Sequence, residues 1–385
     1  MQIPIRNVWL LQLFASSLYR TAGSATVAAE DNPEDLPQLV ARILADEVTH
    51  RLHTGLTVGF RNTARPVTRV RGRINALRTE RRQLLRRGQV DCRFDEIVTD
   101  VPVNRLARAA LERASRLLPH DPRYRSLALQ LEAAGAQGPC PPLSRVPAMQ
   151  RQRLLARDRL MIAAAELLLT LAIPTTDAGG KMLPLPDLEA PYLRKLFEHA
   201  AFGLYQHRLA PEGWVVTHGQ RLKWQTSAES PGMSALLPGM QLDIALQAPS
   251  VHHRSTRRII VDTKFTAITK PGHYRERTLD RDYVYQIYAY LMSQETPASD
   301  AKTEGLMLHP TIGEHVDEEV TIQGHRIRFA TVDLTASPRA LVDGFLTALS
   351  STSAPREPDE VDLAGASHTT TMHANRGSVR VPMDE

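Results

Sequence analysis

Apolar side chains follow helical spacing through most of the first 175 residues. In 32–52, for example, they recur every three or four positions, as an amphipathic helix requires. Residues 55–74 differ: Gly, Thr and Val alternate in short runs, which predicts a small β element with arginines on its outward face. Helical spacing predicts helices over residues 4–20, 32–52, 75–87, 103–118, 122–134 and 147–172.

The pattern changes after residues 176–191, which are rich in proline and glycine and lack both helical and strand periodicity. Beyond them, short runs with period two alternate with amphipathic helical segments. This mixture predicts a sheet that helices cover on at least one face. Helices are predicted at 192–209 and 281–294, and strands at 213–217, 220–226, 240–247, 257–265 and 304–309.

These shifts divide the chain into four parts. Residues 1–175 are predicted to form a mainly helical domain, 176–191 a linker, and 192–350 an α/β domain. Residues 351–385 contain few large apolar side chains and are predicted to be disordered. The overall class is therefore α/β, or α+β when both domains are counted.

Composition indicates the cellular compartment in which the protein is expected. No apolar run approaches the roughly 18–20 residues that a membrane span needs, so no membrane association is expected. The apolar N-terminus has Arg6 as its only early charge and Gln12 inside its apolar run, which favours a structural helix over a signal peptide. Two cysteines are too few for a disulfide scaffold, and a reducing cytoplasm is the expected location.

Basic residues are concentrated in one block. The net charge is only +5, yet eight arginines and a single acid lie between Arg69 and Arg87. Such a block is either a solvated face or a contact surface for nucleic-acid phosphate or an acidic partner.

The candidate chemistry lies on the two strands at 240–247 and 257–265. The second strand ends with Asp262 and Lys264, which share one face because side chains alternate along a strand. On the first, Asp243 lies opposite an apolar face formed by Met240, Leu242, Ile244 and Leu246. A hairpin-like connection would pair the strands and bring Asp243, Asp262 and Lys264 to one end of the sheet.

Two carboxylates and a lysine at one place suit phosphodiester hydrolysis. Carboxylate oxygens are preferred ligands of Mg²⁺, which lowers the pKa of a bound water. The lysine can orient or deprotonate the attacking water and stabilise developing negative charge. The alternative is that Asp262 and Lys264 are a surface ion pair at a strand end, and for a short motif alone that alternative is the better one.

The order of Asp243, then Asp262-Thr263-Lys264, then Gln286-x-x-x-Tyr290 resembles the PD-(D/E)xK nuclease superfamily and its RecB-like branch. Leu242 stands where the superfamily pattern has proline. Over residues 3–348 the chain resembles the McrC subunit of McrBC-type modification-dependent restriction systems. Six segments carry this resemblance: "IPIRNVWLLQLFA" (3–15), "RVRGRI" (69–74), "LFEHAAFGLYQHRL" (196–209), "LLPGMQLDIAL" (236–246), "IIVDTKF" (259–265) and "YQIYAYL" (285–291).

The resemblance implies a restriction-endonuclease-like C-terminal domain with a mixed sheet flanked by helices. It makes Asp243 and Asp262 ligands of Mg²⁺ and Lys264 the catalytic lysine. It places Glu198 near the metal, although an ion pair with Arg194, four residues earlier on the helix, is an equal alternative. Gln286 and Tyr290 either face the active site or the DNA backbone, or simply pack within their helix.

The resemblance also implies partners. The chain would be the endonuclease subunit of a type IV restriction system that cuts double-stranded, modified DNA in defence against foreign DNA. It would dock on a ring of McrB-like AAA+ GTPase subunits and stimulate their GTP hydrolysis. The contact would involve the N-terminal helix and the Arg-rich region 69–87, with Arg71, Arg73 and Arg78 as its candidate residues. The alternative is a catalytically inactive subunit that only activates this motor. No Gly-rich nucleotide loop of the G-x-x-x-x-G-K-[ST] type is present in the chain.

The loop after the candidate catalytic strand is the predicted DNA contact. It directly follows the strand end, where substrates are commonly met, and its cations can bind phosphate. Solvation explains the same charges. The candidate DNA-binding residues are Lys270, Arg275, Arg277 and Arg281.

Overall fold

A computed structural model describes residues 2–22, 33–171, 182–184, 190–249, 257–272, 276–294 and 303–350. The predicted disordered segment 351–385 and most of the predicted linker lie outside the described residues. Within the described part, helices dominate the first half and a six-stranded sheet lies in the second. The predicted α/β class is therefore confirmed. None of the described helices is long and apolar enough to cross a membrane.

The first half contains mainly helices and a small three-stranded sheet. In chain order its elements are β1 (Gln2–Pro4), α1 (Ile5–Ala15), α2 (Ser17–Ala22), α3 (Leu36–Thr54), β2 (Gly59–Val67), β3 (Arg73–Ile74), α4 (Ala76–Arg81), β4 (Val90–Val98), α5 (Pro102–Leu117), α6 (Arg123–Ala133), α7 (Val146–Arg151), α8 (Arg159–Thr170) and β5 (Met182–Pro184).

The second half contains the main sheet. Its elements are α9 (Ala190–Leu209), β6 (Val215–His218), β7 (Arg221–Leu222), α10 (Met233–Leu236), β8 (Met240–Gln241), β9 (Ile244–Gln247), β10 (Arg258–Thr263), β11 (Thr269–Pro271), β12 (Arg277–Leu279), α11 (Arg281–Met292), β13 (Glu304–Pro310), β14 (Asp317–Ile322), β15 (His325–Val332) and α12 (Pro338–Thr347).

The small β element predicted at 55–74 is confirmed as part of the sheet β2–β4–β3. Three predicted helices are interrupted where single residues leave the helical conformation. Ser16 is extended and separates α1 from α2, Gln83 has φ near 50° after α4, and Gln152 is extended after α7. Helical spacing of apolar residues does not detect such breaks, because the spacing resumes on the far side.

The main sheet has the order β14-β15-β13-β10-β9-β6. Its three central strands, β15, β13 and β10, are parallel, whereas β9, β6 and β14 run antiparallel to their neighbours. The predicted pairing of the two strands around residues 240–247 and 257–265 is confirmed, since Ile244 lies opposite Val261. Strand β10 is therefore central, with a partner on each edge.

Both faces of the sheet are covered by apolar side chains. Ile259 and Val261 point into a large core that includes α1, α3, α5, α8, α9 and α12. Ile260, between them, belongs to a smaller core against α11. Because the large core takes side chains from both predicted domains, the boundary at residues 175–192 does not separate two hydrophobic cores. Residues 1–349 form one compact unit.

The prediction of one regular strand over residues 240–247 is wrong at its centre. The segment forms β8 and β9, which are separated by Leu242 and a bend at Asp243. Met240 and Leu242 belong to the smaller core, but Ile244 and Leu246 belong to the larger one. The bend changes which face the alternate residues occupy, so these four side chains do not share a face. After the bend, β9 pairs with β10 while β8 pairs with β7.

Helix α9 joins the two halves by packing against α1. Gly203, within α9, lies directly beside the backbone carbonyl of Phe14. A Cβ atom at this position would overlap that oxygen, so glycine is required for the close approach of the two helices.

We expect Gly203→Ala to lower the free energy of unfolding by about 1–3 kcal/mol, because overpacking must push the two helices apart. Gly344→Ala is the matched control. It is also a helical glycine, but the nearest atom to its added Cβ, Val332 Cγ1, lies at 3.5 Å. There we expect no loss, or a gain of up to about 1 kcal/mol from helix propensity. Urea unfolding measures both; equal effects would show that the α1–α9 contact does not require glycine.

Candidate active site

The candidate site lies where β10 ends, and Asp262 is its most buried member. Asp262 is 2% exposed, and Lys264 Nζ lies 2.6 Å from its Oδ2. The backbone N–H of Lys264 donates to Leu308 O on β13, which holds the end of β10 beside the central parallel strand. Because Asp262 is buried and the Lys264 side chain is only 20% exposed, this is not the solvent-exposed surface pair of the alternative prediction.

Asp243 reaches the same place from the bend before β9. Its Oδ2 accepts two hydrogen bonds from Thr263, from the backbone N–H at 2.8 Å and from Oγ1 at 2.9 Å. The carboxylate thus accepts the hydrogen bond from the Thr263 N–H just beyond the last backbone pair of β9 with β10. The bend that breaks the strand is what directs Asp243 at β10.

Burial governs the protonation of both carboxylates. Burial raises the pKa of Asp262 to about 6, and the charges of Asp243 and Glu198 act in the same direction while Lys264 opposes them. Burial also raises the pKa of Asp243, against the hydrogen bonds from Thr263. Negative charge at this site is therefore costly, and a cation between the carboxylates would relieve that cost.

Glu198, on α9, is held by a histidine. His218 Nε2, at the end of β6, lies 2.8 Å from Glu198 Oε1, and this hydrogen bond is the main cause of the lowered pKa of Glu198. The observed partner is therefore His218, and among the described residues no ion pair joins Glu198 to Arg194. Glu198 still lies near enough to raise the pKa of both aspartates.

The side chains at the site could supply two carboxylate ligands to Mg²⁺. Among the residues that the structure describes, no group of three His, Cys, Asp or Glu side chains is arranged to hold a metal. Mg²⁺ commonly uses one or two protein carboxylates and keeps several waters. Asp243 and Asp262 meet that requirement: Asp262 is buried, Asp243 is partly buried, and the charge of Asp243 raises the pKa of Asp262. Glu198 as a third ligand stays a prediction.

Gln286 and Tyr290 both pack in their helix and border the site. Gln286 Nε2 donates to the Tyr290 hydroxyl at 2.8 Å across one turn of α11. Tyr290 is 8% exposed within the smaller core, and the charges of Asp262 and Lys264 influence the pKa of its hydroxyl. Packing is thus observed for both residues and proximity to the site for Tyr290, while a role toward the active site or DNA stays a prediction.

Three of the predicted DNA-binding cations are paired with acids. Lys270 Nζ lies 2.9 Å from Asp280, and Arg277 forms an ion pair with Glu314. Arg281 Nε lies 3.6 Å from Asp282 Oδ1, but this pair is open to solvent, with the Arg281 side chain 81% exposed. Arg275 lies outside the described residues. DNA binding by these four residues stays a prediction.

The candidate partner-binding arginines lie on or beside the small sheet. Arg73 is exposed on β3, and the Arg71 guanidinium lies over the ring of Phe94 at 5.9 Å. Arg78 on α4 differs, since its Nε lies 3.8 Å from the buried carboxylate of Asp91. All three arginines thus lie on or beside the small sheet, and Arg78 also forms an ion pair with the buried Asp91.

Three residues near the site were missed by motif analysis: His218, Tyr283 and His309. His218 holds Glu198, and the ring of Tyr283 lies 5.4 Å from Lys264 Nζ. His309 on β13 is fully buried beside Tyr283. The only sequence signal was weak: His309 is a polar residue near the end of an apolar strand, and nothing in its spacing relates it to the Asp262–Lys264 motif.

Comparisons with known proteins point to restriction systems. Residues 6–308 match the family model described as McrBC 5-methylcytosine restriction system component. The chain is 21% identical over 339 residues to the type IV methyl-directed restriction enzyme EcoKMcrBC of Escherichia coli (strain K12), which covers 86% of this chain and 93% of that protein.

Two solved structures from Thermococcus gammatolerans are also similar to the chain. One is a half-complex of McrB AAA+ hexamers with bound McrC, at 14% identity and a TM-score of 0.37, covering 81% of this chain and 68% of that one. The other is the McrBC complex, at 19% identity and a TM-score of 0.28, covering 46% and 48% respectively.

We expect Asp262→Asn to stabilise the metal-free protein at neutral and higher pH. The pKa of Asp262 is raised by folding, so the folded state loses stability as pH rises from about 4 through about 6. An uncharged amide avoids this loss, and the gain should be about 1–3 kcal/mol above pH 7. Urea unfolding in EDTA at pH 4 and pH 8 measures the difference, which should vanish at the lower pH. A variant less stable than wild type at pH 8 would contradict the charge balance inferred for the site.

Proposed function

The chain belongs to the McrBC family, and on that premise we propose that it is a Mg²⁺-dependent DNA endonuclease subunit of a restriction system. The observation that carries the proposal is the convergence of Asp243, Asp262 and Lys264 at the end of β10, with Lys264 Nζ 2.6 Å from Asp262. Two carboxylates can bind the metal, and an ammonium beside them can stabilise developing negative charge, as metal-assisted phosphodiester hydrolysis requires.

Each residue has a distinct task in this proposal. Asp243 and Asp262 bind the metal, and Thr263 orients Asp243 through two hydrogen bonds. Bound Mg²⁺ supplies a water of lowered pKa and offsets charge on the phosphate. Lys264 orients the attacking water and stabilises the negative charge that develops on the phosphate oxygens. Asp262 directs Lys264 by holding its ammonium.

Gln286 and Tyr290 are proposed to border the scissile phosphate. Tyr290 is fixed by the hydrogen bond from Gln286 and by its packing in the smaller core. Arg281, at the start of the same helix, presents an exposed guanidinium that can bind a DNA phosphate. Lys270 and Arg277 would do so by exchanging their carboxylate partners for phosphate.

We further propose that the subunit acts with an AAA+ GTPase ring. The similar Thermococcus gammatolerans protein is described in a complex with McrB AAA+ hexamers, and the E. coli relative as a methyl-directed enzyme. By this proposal the substrate is modified double-stranded DNA and the site of action is the cytoplasm. Arg71 and Arg73, exposed beside the small sheet, are the proposed contact with the ring.

Cleavage assays on methylated plasmid test the nuclease. With the AAA+ partner of its own restriction system, GTP and Mg²⁺, we expect Asp262→Asn and Lys264→Ala to cut at least about 100-fold more slowly than wild type, a loss typical of removing a group that stabilises developing charge. Stimulation of GTP hydrolysis should remain, because neither residue lies near the small sheet in sequence or topology.

Asp343→Asn is the matched control for this assay, since Asp343 is an exposed aspartate on α12. It should cut as wild type does. If wild type and Asp262→Asn gave equal background cleavage while both stimulated GTP hydrolysis, the chain would be the inactive regulatory subunit of the alternative hypothesis.

Metal binding has its own expected outcome. Mg²⁺ should raise the unfolding free energy of wild type by about 2.7 kcal/mol at 100 times its dissociation constant, since it binds only the folded site. Asp243→Asn should lose most of this gain, while Asp343→Asn should keep it. Thermal unfolding with and without EDTA measures the shift, and an unchanged shift in Asp243→Asn would remove Asp243 from the metal site.

A further inference from the structure

We propose that Tyr283 is a positioning residue for Lys264: its ring face, backed by His309, keeps the lysine ammonium at Asp262. The inference rests on the proposed catalytic role of Lys264. Tyr283 lies on α11 outside the Q-x-x-x-Y pattern, so the motif does not include it.

The sheet register brings the participants together. Thr263 of β10 lies opposite Leu308 of β13, so the next residues along the two parallel strands are Lys264 and His309. Leu308 points into the larger core, and the side chains before and after it therefore face α11. Asp262 and Lys264 lie on that face too, since Ile260 contributes to the smaller core.

The Tyr283 ring is a second group that lies close to the ammonium, besides the Asp262 carboxylate. Lys264 Nζ lies 5.4 Å from the ring centroid, within the range in which a cation is attracted to an aromatic face. The same Nζ lies 2.6 Å from Asp262 Oδ2. The ammonium thus forms an ion pair with the carboxylate and lies over the face of the ring.

Tyr283 is itself fixed by neighbours. Its ring lies 5.7 Å from the ring of His309, and its hydroxyl lies 3.4 Å from Thr266 Oγ1. His309 Nδ1 in turn lies 3.0 Å from Thr266 O. The turn that follows β10 therefore contacts both rings, so Thr266, Tyr283 and His309 form one connected group beside the lysine that precedes this turn.

His309 can serve as a backing ring because it is neutral. Burial, together with the charge of Lys264, lowers the pKa of His309 to about 4. At neutral pH the imidazole therefore adds no second positive charge beside the ammonium, which would repel it.

The physical benefit is preorganisation. A free lysine side chain loses conformational entropy when it is fixed in one geometry. If the fold fixes it beforehand, that cost does not fall on the transition state. The ring should therefore affect the rate of the chemical step more than DNA binding.

The test compares Tyr283→Phe with Tyr283→Leu in single-turnover cleavage with the partner, GTP and Mg²⁺. Phe keeps the ring face and should cut within about twofold of wild type. Leu should lower the cleavage rate at saturating DNA about tenfold. The DNA concentration that gives half of the maximal rate should stay within about twofold of the wild-type value. Tyr288→Leu controls for lost packing, because Tyr288 lies on the same helix against the same core and directs its hydroxyl to Gln323.

A second measurement does not depend on cleavage. Reductive methylation of the full-length protein, quantified by mass spectrometry, reports how accessible the Lys264 amine is, with exposed Lys223 as internal reference. Tyr283→Leu should raise labelling of Lys264 at least about threefold, and Tyr283→Phe and Tyr288→Leu should leave it unchanged.

The outcomes separate the two proposals. Equal inactivity of wild type and Asp262→Asn would refute the nuclease function, while the labelling would still decide whether Tyr283 positions Lys264. Unchanged labelling in Tyr283→Leu would overturn the positioning role. So would an equal loss in the Phe and Leu variants, because the hydroxyl and not the ring face would then be responsible.

Discussion

The buried contact between Asp262 and Lys264 is the constraint on which the site depends. A carboxylate that is 2% exposed is costly to ionise, and burial raises its pKa to about 6. The ammonium at 2.6 Å offsets only part of that cost, since the pKa stays raised, and removing Lys264 would leave the buried carboxylate without this compensation. A central strand with covered faces is what creates this burial.

The second constraint is a local failure of regular structure. At Asp243 the strand bends, and the carboxylate replaces a backbone partner by accepting the Thr263 N–H. The bend separates β8 from β9 and reverses which apolar residues face which core. It also aims the second acid at the end of β10. A regular strand would satisfy the sheet but would not supply this fixed carboxylate.

The rest of the fold supports the sheet from both sides. One large core joins α1 and the first-half helices to β9, β10, β13 and β15, and the contact of Gly203 with Phe14 brings α9 close to α1. Helix α11 covers the other face and contributes Tyr283, Gln286 and Tyr290 around the candidate site. The first half is thus part of the scaffold that fixes the sheet, in addition to its proposed role toward a partner.

The amino-acid sequence by itself determined the α/β class, the pairing of the two acidic strands and the convergence of Asp243, Asp262 and Lys264 at one place. Period-two alternation and local motif spacing carry that information. Tertiary structure alone decided that Glu198 is held by His218, that Lys270 and Arg277 are paired with acids, and that Tyr283, with His309 beside it, lies near the lysine. These contacts join residues 10 to 37 positions apart, whereas periodicity describes only neighbours along the chain.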